Sequence, residues 1–446
     1  MKLRWRMLPL ALATAILIAG MGIFFTRLWH DGEKWAMNPW NDTVFQNGIL
    51  SVGTVTDRNG ETLTSADGTG RDWSPDPNTR ISTLHAVGDP LGYIGTGALA
   101  TFTGELAGYT RFGGLWSEDG RGGTVTLSLD AGLCRTALEA LNGHNGAVLV
   151  ANWRTGEILC MVSAPGYDPE NADAEIPDGA YLNRCLSGLY PPGSIFKIVT
   201  AAAALETVPG IQEHTWDCDG SIEIGESTVV CAGVHGEVTL DDAFACSCNC
   251  AFAQIAQEVG GETLQRYAAI CGLTKPLVLD GIETAVGSVE APSTGSVELS
   301  WEGIGQHTDL VCPVAMLRLC CAVAGAGEAV DLTILLGGNP DGNKTRFLET
   351  NTASALAAMM DYAVYSTYGD ENFPGLDLRA KSGTAELDGA EPHAWFCGYV
   401  ADPSTPLSFV VLVENGGSGA LTAGSVANAV LQEAASLMIL EGEAIG

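Results

Sequence analysis

Tyr190-Pro-Pro-Gly-Ser-Ile-Phe-Lys197 is the stretch that decides how this chain is read. Turn-forming residues give way there to Ile198-Val-Thr-Ala-Ala-Ala-Ala-Leu205, an apolar, Ala-rich run without Pro or Gly, which predicts a buried helix. Pro191, Pro192 and Gly193 suit a sharp lead-in to its first turn. Positions three apart share a helix face, so Ser194 and Lys197 are expected in one cleft. A serine hydroxyl is a poor nucleophile until a base takes its proton, and a lysine serves as that base only where burial and nearby cations favour its neutral form. At a helix start Ser194 also lies near free backbone N–H groups that can stabilise an oxyanion. Ser-x-x-Lys alone is a weak signal, since a helix start followed by a solvated lysine has the same spelling.

The 446 residues suffice for two domains, or for one large domain with an appendage. Charged residues make up 17% and hydrophobic ones 46%, the balance of a folded chain rather than a disordered one. Acidic residues outnumber basic ones 53 to 21, which argues against nucleic-acid binding.

Lys2, Arg4 and Arg6 precede an apolar run from Met7 to Phe25, about the length that crosses a bilayer as a helix. The positive flank predicts a cytoplasmic N-terminus and everything after Arg27 outside. No small-x-small cleavage site follows the run, so an uncleaved anchor is expected rather than a signal peptide.

Thirteen cysteines are many for an exported protein, and an odd number leaves at least one outside any intrachain disulfide. Cys218 and Cys231 flank a short strand-like segment and are the pair expected to form a disulfide. Cys246-x-Cys248-x-Cys250 lacks the paired Cys-x-x-Cys spacing of zinc sites, so these thiols are read as small buried hydrophobes and no metal is expected.

In chain order, residues 29–47 read as a juxtamembrane linker. Gly48–Asp57 alternates like a strand, and Arg58-Asn59-Gly60-Glu61 turns into a second one. Asp72–Asn78 reads as a loop, and His85–Gly123 as Gly- and Thr-rich coil without a helix. Thr124–Asp130 is a strand leading to a helix over 131–141. Gly146–Ser163 is a hairpin turning at Arg154-Thr155-Gly156-Glu157, and 164–187 is a loop. Helices are expected over 240–260, 262–271, 313–324, 352–365 and 423–441, with strands over 376–383, 394–400 and 407–414. Strands at both ends with helices between them predict an α+β domain whose antiparallel sheet is assembled from both ends and packed by helices. The domains read as 1–30 (cytoplasmic tip and transmembrane anchor), 31–140 (a small β-rich, dimerisation-like pedestal) and 141–446 (catalytic).

Two further motifs lift the serine above chance. Ser247-Cys-Asn249, on a stretch expected to be helical, offers two polar groups for a nucleophile, a lysine or a substrate amide. Lys381-Ser-Gly-Thr384 ends a strand, where a cation can hold a carboxylate and Gly383 lets a substrate backbone lie against the strand. Ser-x-x-Lys, Ser-x-Asn and Lys-Ser/Thr-Gly in this order are the motif set of penicillin-binding proteins and class A β-lactamases. The chain resembles the membrane-anchored class B penicillin-binding transpeptidases. Asn183-Arg184, Pro192–Lys197, His235-Gly236, Ser247–Phe252, Gly303-Ile-Gly-Gln306 with Pro313, and His393–Phe396 with Gly398-Tyr399 carry that likeness over roughly residues 48–435, with Asp57–Gly60 at the start of a pedestal. Three features depart from the pattern: the short Gly-rich pedestal, Cys248 as middle residue, and Ser382 in place of the commoner threonine.

The resemblance implies a β-lactamase/D,D-peptidase-like transpeptidase fold without a cofactor. By the same resemblance Ser194 attacks the D-Ala-D-Ala carbonyl of a peptidoglycan stem peptide and Lys197 is the base. Ser247 relays protons and Asn249 binds the substrate amide, while Lys381, Ser382 and Thr384 hold the terminal carboxylate. Backbone N–H groups of Ser194 and Thr384 form the oxyanion hole. β-Lactams are expected on the same serine. The implied partners are the bacterial membrane and a polytopic glycan polymerase. No glycosyltransferase domain fits before residue 140, so a bifunctional polymerase is not expected. A D,D-carboxypeptidase using the same residues with water as acceptor stays open, as does a non-catalytic scaffold of the division or elongation machinery. A β-lactamase lacks an identifiable water-activating carboxylate, and a sensor lacks room for a signalling domain before the membrane span.

Overall fold

The computed structural model describes residues 2–115, 120–171 and 175–445, without the side chains of residues 2–6 and 440–445. The expected coil over 85–123 and loop over 164–187 therefore fall partly outside the described residues, as do the side chains of Lys2, Arg4 and Arg6.

The first helix runs Lys2–Ala36, and Met7–Ala36 within it has the length and apolarity to cross a membrane, with a mean hydropathy of 2.2 in its most apolar window. It does not stop near Phe25. Residues 29–36, expected as linker, stay helical because they dock onto the next domain. There Arg111 stacks 5.2 Å over Trp29, and Phe112 meets the same indole in a T-shaped arrangement at 5.7 Å. Gly32 brings the backbone so close that a Cβ there would lie 2.6 Å from the Tyr109 hydroxyl.

The following domain holds a four-stranded sheet in the order Arg71–Trp73, Thr62–Asp67, Val52–Thr56, Thr124–Thr126, antiparallel except for its last pair. It also holds the helix Pro77–Val87, where the sequence reads as loop and coil. Asp76 caps that helix by accepting from Asn78 N, and Pro77 sits in the first turn, where its missing N–H costs nothing. Its buried face includes Thr79, Ser82, Thr83 and His85, so no apolar period marks it. The expected helix after Thr124–Thr126 is present as Ala131–Ala140, capped by Asp130.

Five antiparallel strands form the main sheet in the spatial order Ile158–Ala164, Gly146–Asn152, Leu407–Val413, Ala390–Val400, Leu378–Leu387. Both ends of the domain thus supply it, as expected. Every residue of Leu407–Val413 is buried, so helices cover the sheet on both faces. Pro313–Ala324 and Gly424–Ile445 pack on this central strand. Leu378–Leu387 is left as an edge strand, and a 3₁₀ turn, Gly193–Phe196, abuts it. That turn feeds the helix Lys197–Thr207, buried from Lys197 to Ala204. Gly193 has φ 54°, and a Cβ on it would lie 2.8 Å from Thr384 O, so backbone meets backbone where turn and strand touch.

The helix expected over 240–260 is broken into Leu240–Ala245 and Asn249–Val259. Ser247 sits in the break with φ 57°, a left-handed conformation that a non-glycine residue rarely adopts, and Cys248 caps the second helix. The serine of the Ser-x-Asn motif therefore occupies a turn, and Asn249 opens the helix that follows. Just before it stand two small ribbons, Thr215–Cys218 paired with Gly236–Thr239 and Ser221–Ile224 paired with Ser227–Val230.

Candidate active site

Three elements bring the polar residues of the motifs together. Lys197, the first residue of its helix, is fully buried. Its Nζ donates to Ser247 O at 2.7 Å, to Asn249 Oδ1 at 2.8 Å and to Ser247 Oγ at 3.1 Å. From the opposite side Lys381, equally buried, donates to the same Ser247 Oγ at 3.0 Å and to Ser382 O at 2.8 Å. The left-handed backbone at Ser247 is what turns its carbonyl and hydroxyl toward the lysines, a strained conformation held by its bonds. Asn249 spends Oδ1 on Lys197 and one Nδ2 proton on Val230 O at 3.1 Å, and keeps a second Nδ2 proton for other use.

Two ammonium groups sharing one hydroxyl in a dry site cannot both hold their protons easily. Burial first, and the neighbouring Lys381 second, push Lys197 down to about 7. Burial likewise pushes Lys381 down to about 7, against the opposing influence of Cys397 and Cys246. A lysine brought to neutral pH in this way can take a proton from a hydroxyl.

The edge strand contributes backbone. Ser382 N donates to Tyr368 Oη at 2.9 Å and Glu386 N to Gln306 Oε1 at 3.2 Å, so both point off the free side of the strand. Backbone groups two residues apart point the same way, and Thr384 N, midway between them, therefore faces the cleft beside Ser194. A cleft of about 340 Å³ opens here, lined by Ser194, Ser247, Asn249, Ser382 and Thr384 among others. Ser194 Oγ makes no hydrogen bond among the described residues.

All eight motif residues are thus gathered, five lining the cleft and three behind it. Lys197 and Lys381 stand behind Ser247. At Gly383 a Cβ would meet Ile195 Cγ2 and Pro192 O at 3.0 Å, so on that face of the strand its bare backbone makes room for the serine's own turn. Sequence reading missed Tyr368, whose hydroxyl also accepts from Ser382 Oγ at 3.1 Å. It closes the π-helical turn Val364–Tyr368 and belongs to no motif. The expected Cys218–Cys231 disulfide is absent, and both are free thiols. Cys248 is fully buried and turned from the cleft, as expected.

The family model of the penicillin binding protein transpeptidase domain matches residues 146–435. The chain belongs to this family. This penicillin-binding protein is 28% identical over 367 residues to the peptidoglycan D,D-transpeptidase PbpA of Mycolicibacterium smegmatis, an alignment covering 73% of this chain and 74% of that one. It is 30% identical over 283 residues to the probable peptidoglycan D,D-transpeptidase FtsI of Caulobacter vibrioides, covering 60% of this chain and 47% of that protein. Among solved structures, penicillin-binding protein A of M. tuberculosis in its ceftriaxone acyl-enzyme complex matches with a TM-score of 0.74 at 25% identity, over 89% of this chain and 99% of the other.

Proposed function

We propose that Ser194 is the nucleophile and Lys197 the general base of this enzyme. The protein is a serine D,D-transpeptidase that cross-links peptidoglycan stem peptides through an acyl-enzyme, and β-lactams acylate it. The observation that supports the residue roles is the burial of Lys197 beside Lys381, which brings its amine to about 7 one helical turn from a serine that lines the cleft.

Ser194 Oγ attacks the penultimate D-Ala carbonyl carbon and passes its proton to Lys197 Nζ. Negative charge gathers on the carbonyl oxygen, where Ser194 N and Thr384 N donate to it. As the peptide C–N bond breaks, the proton travels from Lys197 through the Ser247 hydroxyl to the leaving D-Ala amine. Asn249 orients Lys197 and offers its second amide proton to the substrate backbone. The hydroxyls of Ser382 and Thr384 take the terminal carboxylate, with Lys381 behind them as the positive charge. The amine of a second stem then attacks the ester, its proton returns to the base, and Ser194 is restored.

Labelling with a fluorescent penicillin, followed by gel and intact mass, tests the nucleophile. The wild type is expected to carry one adduct and Ser194→Ala none; an adduct on Ser194→Ala overturns the assignment. With a stem-peptide donor and an amine acceptor, cross-linked product is expected. Hydrolysed donor alone would make the protein a D,D-carboxypeptidase.

The anchor, pedestal and catalytic division at 1–30, 31–140 and 141–446 belongs to the same reading, with the N-terminus cytoplasmic and the catalytic domain outside. It is supported by the exposed apolar helix and by the separate sheets of the two domains. Protease added outside spheroplasts should leave only the helix protected. A polytopic glycan polymerase is the proposed partner, because cross-linking consumes fresh glycan strands that such an enzyme must supply. Co-purification from detergent with the helix intact, and its loss without the helix, is the expected result.

A further inference from the structure

Cys218, Cys231, His235 and Cys248 place one ligand atom each within 4.8 Å of one another. His235 Nδ1 lies 3.4 Å from Cys218 Sγ and 3.5 Å from Cys231 Sγ, and Cys231 Sγ lies 3.9 Å from Cys248 Sγ. Donors at the corners of a tetrahedron around zinc, with Zn–S about 2.3 Å and Zn–N about 2.0 Å, stand about 3.8 Å apart as S···S and about 3.5 Å apart as S···N. The three separations match those edges. The 3.9 Å between the Cys231 and Cys248 sulfurs is far from a disulfide's about 2.05 Å.

We propose that these four residues bind one zinc ion in a closed Cys3His site that holds the Ser247 turn in place. The donor set is three thiols and one imidazole without a carboxylate, which selects a soft or borderline metal over magnesium or calcium. Four protein ligands leave no open position, so the ion is structural. Two of the sulfurs already accept backbone N–H bonds, Cys231 from Asn249 at 3.2 Å and Cys248 from Ala251 at 3.4 Å, the outer support that metal-bound thiolates use.

The fold supplies a reason for the ion. Cys218 ends a strand of one small ribbon, and Cys231 and His235 stand in the loop that joins the two ribbons, which have little core of their own: Ser221–Ile224 has no buried residue, and Val230 and Val234 are exposed. Isolated two-stranded ribbons are marginal, and small modules commonly need a staple. Cys248 is the middle residue of Ser247-Cys-Asn249, and Cys231 lines the cleft. The ion therefore ties the ribbons to the very turn whose left-handed residue meets both lysines. The Cys-x-Cys-x-Cys spelling hides the site, because only Cys248 of the three belongs to it. None of this depends on which residue is the nucleophile.

The test uses the full chain in detergent, purified without a metal-affinity step or chelator. Metal analysis is expected to find about one zinc per chain. Replacement by Co(II) should give the visible d–d and thiolate charge-transfer bands of a tetrahedral Cys3His centre. Stripping the wild type should lower its melting temperature and slow penicillin acylation about tenfold, with zinc restoring both. Cys218→Ser, at a position that does not line the cleft, should bind less zinc with the same consequences. A metal-free protein that takes up no Co(II), or an intact mass showing a Cys218–Cys231 disulfide, overturns the proposal. These wild-type measurements decide it even if Cys218→Ser does not fold.

Discussion

One hydroxyl joins the two lysines of the site: Ser247 Oγ lies 3.1 Å from Lys197 Nζ and 3.0 Å from Lys381 Nζ. Each lysine therefore senses whether the other is charged. The groups facing Lys197 are Lys381 and the thiols of Cys248, Cys231 and Cys246, with Lys381 lowering its affinity for a proton and the thiols raising it. The base works only when neutral, so the acylation rate is expected to rise as pH is raised through about 7. In Lys381→Met the opposing cation is gone and Lys197 holds its proton to higher pH. The rising limb should then move upward. Stopped-flow acylation by a chromogenic cephalosporin reads this directly, and a limb that stays or moves down counts against the coupling.

Ser247 carries a strained backbone for the sake of its bonds. Ser247→Gly and Ser247→Ala both remove the hydroxyl that bridges the lysines, and both should slow acylation by two orders of magnitude or more, roughly the loss seen when a proton-transfer group is removed. They should differ in stability. Glycine accepts φ 57° freely, whereas alanine does not, so the glycine variant is expected to be more stable by about 1 kcal/mol in denaturant unfolding. Equal stabilities would mean that the turn carries no strain.

Gly383 holds the edge strand against the nucleophile's turn. In Gly383→Ala the new methyl meets Ile195 Cγ2 and Pro192 O at 3.0 Å and Ile195 N at 3.2 Å, contacts that a few tenths of an ångström of movement must relieve. The turn that moves carries Ser194. Acylation is expected to fall about tenfold, with little change in melting temperature. A large drop in melting temperature with normal acylation would place the glycine's role in folding instead.

Beneath the cleft, Glu414 Oε1 accepts from Arg184 Nε at 2.8 Å and from Tyr190 Oη at 2.8 Å. Arg184 is almost wholly buried, and Glu414→Gln leaves its charge without a counter-ion. Removing one partner of a buried pair costs about 3–5 kcal/mol; the partial exposure of Glu414 puts the expected loss nearer 2 kcal/mol. Tyr190 leads directly into Pro191, so acylation should slow as well. Thermal unfolding together with penicillin labelling tests both expectations, and a variant as stable as wild type would show that the pair contributes nothing net.

Much of the fold is written locally. An Ala-rich run without breakers can only be the helix Lys197–Thr207, and continuous apolar runs such as Leu407–Val413 are strands buried on both faces. Three short motifs likewise mark Ser194, Lys197, Ser247, Asn249, Lys381 and Thr384 without any coordinates. The helix Pro77–Val87 escaped, although Asp76-Pro77 is a legible cap, because its buried face is largely polar and packs against the rest of the protein through hydrogen bonds and an ion pair of Arg80 with Asp168.

What tertiary structure alone decided is the meaning of Ser247, Gly383 and the cysteines. No residue near Ser247 breaks helices. Its left-handed turn exists because two lysines, roughly fifty residues before and well over a hundred after it, need the same oxygen. That Gly383 also makes room for the turn from Pro192 to Ile195 shows only when the two are seen packed together. Cys218, Cys231, His235 and Cys248 come from a strand end, a loop and a helix cap, and the sequence carries only their identities. Residue type and local period determine elements, whereas the donors that share a proton or an ion are chosen by distance in space. That distance is set by packing, which no single stretch of the chain contains.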